Sequence, residues 1–388
     1  MAAKLFTRPM WASIAAFNMA MLTWWAQPLT MDALMRGLNM NESSAGSVIA
    51  VELLPTSIVS FVLSFFISRL PLRMLAMVAA AGAAAFHGIS SISVGPSLLI
   101  YRAAAGVCEG ILMAVSTAAL ATSSDPDKAY AAQSTGNIVF CSAFLALAPM
   151  FSSDHANVSL FAAFAVATAI LFPLVTGMPK NVKSEGVSLR FTDPRSSILL
   201  LVVMVVWGST VAIPWFFLVD IGSHTKLSVH EVGVIAGISG LGGLLGSALV
   251  TRLGGSVSRE SAFGFGLLAV CVVCAALIYW ENSVAYVCSV FLYVGCLYII
   301  FPYLFGLAAE IDPLGGLPAA MGAAYILTGS IGAILGGYMV STYGLHSIVW
   351  LCAGSSALCY GILLVLLRLR ASRQSDVTGV VQAAGGAD

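Results

Sequence analysis

SLLIYRAAAGVCEGILMAVSTAALA, residues 97–121, is the stretch from which the fold can be argued. As a helix rising 1.5 Å per residue it exceeds the roughly 30 Å hydrocarbon core of a bilayer. Arg102 and Glu109 are its only charged residues. A charge at the centre of a membrane helix costs roughly 2.5 to 3.5 kcal/mol on insertion scales, so one that is kept there faces a partner, water or a solute path. A second such run, 44–67, carries Glu52. The other Asp, Glu, Lys and Arg residues fall at the ends of apolar runs or between them.

The rest of the chain has the same character. Of 388 residues, 59% are hydrophobic and only 9% charged, with a mean hydropathy of +0.97. A soluble domain carries charge on about a quarter of its residues, so this is an integral membrane protein. The formal net charge is zero, which gives no case for a nucleic-acid partner. All eight cysteines lie in apolar runs and read as small hydrophobes; Cys271 and Cys274 have the spacing of a metal knuckle but no second pair. No metal or cofactor is expected.

Twelve apolar runs are long enough to span: 11–31, 44–67, 74–94, 97–121, 130–152, 156–177, 198–219, 232–251, 262–280, 284–308, 318–340 and 346–368. Segments surrounded by lipid must satisfy their own backbone hydrogen bonds, so these are helices. The first run is read as a retained helix, since no small-residue cleavage site precedes the next polar stretch. Alternate loops collect Lys4, Arg8, Arg69, Arg73, Lys128, Lys180, Lys183, Arg190, Arg195, Arg252, Arg259, Arg368, Arg370 and Arg373, against Arg36 and Lys226 in the others. That bias predicts cytoplasmic termini and puts Trp24, Trp25, Trp280 and Trp350 toward the outer interface.

The polar segment near 178–197 divides the runs six and six. The predicted organisation is an N-terminal bundle over 1–178, a cytoplasmic linker over 179–197, a C-terminal bundle over 198–370 and a cytoplasmic tail over 371–388. Corresponding loops repeat: Ser68-Arg69-Leu70-Pro71 matches Thr251-Arg252-Leu253-Gly254, and Asp125-Pro126 matches Asp312-Pro313. The expected fold is an all-α membrane protein of twelve transmembrane helices in two pseudo-symmetric six-helix bundles, built by duplication, with a solute site between them.

These residues resemble the major facilitator superfamily of secondary transporters. Its loop signature after the second helix, Gly-x-Leu-Ala-Asp-Arg-x-Gly-Arg-Arg, is matched by Arg69 and Arg73 within Ser64–Arg73, with Ser68 in place of the acid. The copy after the eighth helix keeps Arg252 and Gly254, with Thr251 in the acid's place. The fourth-helix signature Leu-x-x-x-Arg-x-x-Gln-Gly is matched by Leu98, Arg102 and Gly106, with Ala105 replacing the Gln. The Gly-Pro motif of many drug-proton antiporters is not recognisable between Ser134 and Pro149. The resemblance covers about 11 to 370. It implies a role in coupling for the fourth-helix arginine, and a cavity lined by the first, fourth, seventh and tenth helices.

Arg102 and Glu109 are seven residues apart, on one helical face and about 10.5 Å apart along the axis. They need a bridge to interact. One reading makes Glu109 a proton-coupling or solute-contacting acid, with Arg102 its counterpart or an anchor for an anionic solute; the other makes them a permanent structural pair. Glu52 either pairs with Arg102, completing a switching triad, or caps a water-filled vestibule. Candidate solute contacts are Asn18, Trp24 and Gln27 on the first helix, Trp207 and Trp215 on the seventh, and Tyr293 and Tyr298 on the tenth. Tyr303, Pro214 and Pro302 belong to the same aromatic and proline-bearing faces, for which helix packing is the competing account. His87 is expected in a peripheral helix, as a hydrogen-bonded core or lipid-interface residue; Gln133 is left without a role. The glycines of the eighth and eleventh helices read as close helix packing.

The expected function is alternating-access transport of a small organic solute, proton-coupled, in the uptake direction and at a bacterial inner membrane. Proton-driven efflux is the alternative, and a non-transporting receptor a distant one. The sequence has no phosphate-binding loop, paired-His motif or nucleophile with an evident base, so neither ATP-driven transport nor an enzyme is expected. Substrate identity and oligomeric state have no signature.

Overall fold

The computed structural model describes residues 7–121, 126–151, 156–181, 191–253, 256–313 and 316–385. Lys4, Asp125, Lys183, Arg190 and Gly254, used above, lie outside them. The described residues form fourteen α-helices and no β-strand. In chain order these are α1 (Arg8–Trp25), α2 (Gln27–Asp32), α3 (Glu42–Ser64), α4 (Leu72–Ser91), α5 (Pro96–Ala121), α6 (Pro126–Leu147), α7 (Ala156–Val175), α8 (Pro194–Phe216), α9 (Leu218–His224), α10 (Val229–Leu253), α11 (Arg259–Tyr279), α12 (Ser283–Ile311), α13 (Gly316–Tyr343) and α14 (Ser347–Gly385). Among the described residues ten helices are long and apolar enough to cross a membrane; α1 and α7 are not among them.

The first and seventh apolar runs are each broken where the sequence showed one continuous segment. Ala26 (ψ 9°) separates α1 from α2, and Phe217 (ψ 14°) separates α8 from α9. Prolines stand beside both breaks: Pro28 enters α2 in its first turn, and Pro214 lies within α8 two residues before its end. Proline lacks an N–H and crowds the carbonyl four residues earlier. The carbonyl so released by Pro214 belongs to Thr210, and the Cys352 thiol donates to it at 3.5 Å. Helix starts carry ordinary caps: Asn41 accepts from the Ser44 N–H at 2.8 Å, and Ser228 and Glu231 form a reciprocal capping box at α10.

Glycines let the helices meet backbone to backbone, as the eighth and eleventh runs predicted. A Cβ on Gly246 would come 2.3 Å from the Gly295 carbonyl oxygen, and one on Gly332 would come 2.5 Å from that of Ser209. Gly106 matters most for the site, because a Cβ there would sit 2.0 Å from the Glu52 carbonyl oxygen. Only glycine permits α3 and α5 to approach this closely, which brings Glu52 level with Arg102.

We call the face where α1 begins the terminal face. Toward the opposite face the helices of the two sequence halves are in contact: the Ser330 hydroxyl donates to the Ala50 carbonyl at 3.1 Å, and that of Ser142 to the Gly237 carbonyl at 2.7 Å. Gly46 abuts the Ala333 carbonyl there and Gly337 that of Glu42. On the terminal side of these contacts lies a cavity of about 470 Å3, walled by Met21, Ser60, Met113, Thr117, Ala323 and Tyr325 among others. The molecule is therefore closed at the opposite face and hollow toward the terminal one.

Candidate functional site: a buried ion cluster beside an aromatic cavity

Glu52 from α3, His87 from α4 and Arg102 and Glu109 from α5 meet inside the helix packing, each with no exposed surface. Arg102 forms a salt bridge to Glu52 through one guanidinium nitrogen, and a second nitrogen lies 3.0 Å from His87 Nδ1. The His87 Nε2 atom lies 3.4 Å from Glu109 Oε1. The Thr56 hydroxyl is 3.3 Å from Glu109 Oε2. Phe161 and Phe164 of α7 cover the guanidinium, its carbon lying 4.6 and 5.8 Å from their ring centroids. Thr23 of α1 lies within interaction range of the Glu109 carboxyl.

This geometry fixes a proton. Arginine has only donors, so His87 Nδ1 must accept from Arg102, and a neutral imidazole then carries its hydrogen on Nε2, toward Glu109. His87 stands between Arg102 and Glu109, hydrogen-bonded to the first and 3.4 Å from the second, where neither His87 Nε2 nor Glu109 Oε1 has a hydrogen-bond partner among the described residues. Of the two positions expected for it, His87 takes the hydrogen-bonded core one: α4 turns it inward, between two charges. Glu52 pairs with Arg102, as one of its two readings held.

Glu52, His87 and Glu109 each offer one ligand atom within 4.8 Å of the others, a spacing that a metal ion could use. The Arg102 guanidinium already places a fixed positive charge among them and occupies His87 Nδ1, so the donor set fits a proton better than a divalent cation.

A second space lies between the helices of the two halves. Its walls include Trp24, Trp25, Trp215, Phe216, Tyr293, Tyr298, Phe301, Tyr325 and Thr328, and no Asp, Glu, Lys, Arg or His. Four of the sequence-predicted solute residues, Trp24, Trp215, Tyr293 and Tyr298, are thus brought to one cavity. Three are not. Trp207 is fully buried behind it, its ring 5.6 Å from that of Phe301. Asn18 accepts from the Asn137 amide at 3.1 Å, and Gln27 is buried at the helix break with neither amide atom hydrogen-bonded. Trp25 donates to Asn137 at 2.9 Å and faces this interior, whereas Trp280 and Trp350 are exposed. The aromatic-belt expectation fails for Trp24 and Trp25, which pack against Tyr325 and Trp215. Gln133 donates to Ser116, whose hydroxyl donates to the Ser13 carbonyl, a link between α6, α5 and α1. Tyr325, which no run or motif singled out, is a wall of both cavities.

At the closed face Asp32 forms a 2.6 Å salt bridge with Arg36. Burial, opposed by Arg36 and reinforced by Asp220, pushes the Asp32 carboxyl up to about 6. Asp220 is also raised, chiefly by burial, with His224 and Arg36 opposing and Glu42 adding.

Described residues that are helical throughout their regular structure, with an ion cluster in one half and an aromatic-lined cavity between the halves, define a class: multi-pass membrane proteins of transporter architecture. Residues 196–384 match the family model of the Major Facilitator Superfamily. That match spans the second half of the chain, and 93% of the chain shares the fold of a solved transporter. It is similar to the nucleoside transporter NupG at 14% identity, covering 93% of this chain and 99% of that one with a TM-score of 0.75. Against a D-xylose-proton symporter the values are 14%, 91%, 95% and 0.65, and against the peptide transporter POT 10%, 94%, 94% and 0.70. No curated protein matches the sequence significantly.

Proposed function

We propose that this chain is a proton-coupled secondary transporter that moves a small organic solute by alternating access, and that it is not an enzyme. The single observation that carries the coupling is the fully buried cluster of Glu52, Arg102, His87 and Glu109. With Glu52 ionised, Arg102 charged and His87 neutral, a proton on Glu109 makes the cluster electrically neutral, and its loss leaves a net negative charge in a dry interior. Such a charge costs several kcal/mol if the structure stays as it is. Release of the proton therefore favours a rearrangement that admits water, and Thr23 beside Glu109 ties that rearrangement to α1, whose next residue is a cavity wall.

The two halves are read as six-helix bundles over 1–178 and 198–370, joined by the linker 179–197, within a twelve-helix protein. With the termini cytoplasmic, as the distribution of Lys and Arg supports, the conformation is sealed outside and hollow toward the cytoplasm. The unrecognisable antiporter motif favours uptake at a bacterial inner membrane over efflux.

Replacing Glu109 with Gln keeps the cluster neutral at every pH. In proteoliposomes the variant should lose pH-gradient-driven accumulation, by about 100-fold or more, while exchange of labelled for unlabelled solute continues. Uphill accumulation at the wild-type level would refute the coupling role.

A further inference from the structure

The cavity between the halves has walls specific enough to name the kind of solute they suit, and this step rests on the transport reading above. We propose that it binds an uncharged, planar aromatic or heteroaromatic solute bearing hydrogen-bond acceptors on its edge.

Eight of the fourteen lining residues are aromatic, and they come from both halves of the sequence. Trp24 meets Tyr325 at 5.2 Å and 51°, Trp25 meets Trp215 at 5.9 Å and 87°, and Phe301 meets Tyr325 at 5.2 Å and 87°. None of these pairs is stacked face to face, so ring faces remain for a flat ligand to cover. Gly329 holds Trp24 in place, since a Cβ there would fall 1.8 Å from its ring.

Charge is excluded by what the walls lack. The lining contains no carboxylate, lysine, arginine or histidine, and the cation that could have held an acid, Arg102, is fully buried and engaged by Glu52, His87 and Phe161. A carboxylate in this cavity would be desolvated without a partner. The walls do offer donors. The Tyr293 hydroxyl is spent on the Val211 carbonyl and the Trp25 indole on Asn137. The Trp215 indole N–H and the Tyr298 hydroxyl have no hydrogen-bond partner among the described residues. Two such donors suit ring nitrogens or carbonyl oxygens, and they oppose a cation that ring faces alone would accept.

The test is binding to the purified full-length protein, followed by calorimetry, with probes that differ in one property. Nicotinamide against nicotinate tests charge, benzamide against cyclohexanecarboxamide tests planarity, and benzyltrimethylammonium tests a cation–π site. Nicotinamide and benzamide should each bind at least about tenfold tighter than their counterparts and than the ammonium probe. Trp215→Leu should weaken nicotinamide about tenfold. The milder Tyr298→Phe should weaken benzamide while leaving toluene unchanged. Equal or tighter binding of nicotinate, cyclohexanecarboxamide or the ammonium ion overturns the proposal, as does no binding of either neutral aromatic amide. Failure of the transport reading looks different: neutral amides would bind but would not cross the membrane in proteoliposomes. Transport of nicotinate alone would sink this site and leave transport standing.

Discussion

His87 of α4 stands between Arg102 and Glu109; 187 residues later, at the offset relating Asp125 to Asp312, α11 carries Cys274 in the interior of the other half. Around that second position the buried polar groups are neutral. Thr210 and Ser355 share a 2.6 Å hydrogen bond, Cys352 donates to the Thr210 carbonyl and Tyr293 to that of Val211. The first half thus holds buried ionisable groups whose charge balance, on the proposed reading, depends on one proton, and the second holds hydroxyls and thiols satisfied on backbone carbonyls. Burial of a neutral donor costs little once it has an acceptor, whereas burial of an ion network is stable only when charge and hydrogen bonds both balance. A chain arranged in this way can have one half respond to protons while the other stays indifferent and supplies most of the aromatic wall.

Breaking the charged side should have the largest effect. Arg102→Leu leaves two carboxyls facing without their cation and should cost about 3 to 5 kcal/mol, read as a lower thermal unfolding midpoint in detergent. The double variant Glu52→Gln with Arg102→Leu should recover much of that loss; simple additivity would show that the two groups are not coupled.

A smaller effect is expected at the closed face, where Asp32 is pushed up to about 6. A raised carboxyl favours the protonated acid in the closed form, so closure is strongest below pH 6 and weakens as pH rises through it. Arg36, Asp220, Glu42 and His224 share this region and shape the profile. Between pH 5 and 7, spin labels on Asn39 and Glu281 in a cysteine-free background should report roughly a tenfold change in the ratio of closed to open populations. Asp32→Asn should flatten that dependence. A profile unchanged in this variant would assign the pH response elsewhere.

The smallest effect belongs to the neutral side. Thr210→Val removes the bond to Ser355, which keeps its own bond to the Cys352 carbonyl at 3.2 Å, and should cost about 1 kcal/mol. Gradient-driven accumulation should persist. Its loss would show that the second half also takes part in coupling.

The ion cluster was partly legible before any fold was known. Seven-residue spacing put Arg102 and Glu109 on one face, and matching depth made Glu52 a partner for Arg102. The place of His87 in the cluster was not legible, because a lone histidine in an apolar run has no signature that tells a lipid-facing position from an inward one. Its weak signal was depth: it lies on the third run, neighbour in sequence to the two runs that carry the charges. The breaks at Ala26 and Phe217 were visible only as nearby prolines, which do not reveal which way the following turn departs. That departure decides why Trp24 and Trp25 face the cavity and not the membrane interface.

Hydropathy and length determined that the chain is helical and membrane-embedded, because lipid leaves the backbone few alternatives and the cost accumulates over every residue of a run. The same cost made three interior charges conspicuous. Which side chains touch was decided only by tertiary packing, since contacts depend on helix rotation and approach set by single residues. Gly106 brings the backbones of α3 and α5 together, and that approach, unseen in the stretch 97–121 alone, joins its arginine and glutamate to Glu52 and His87.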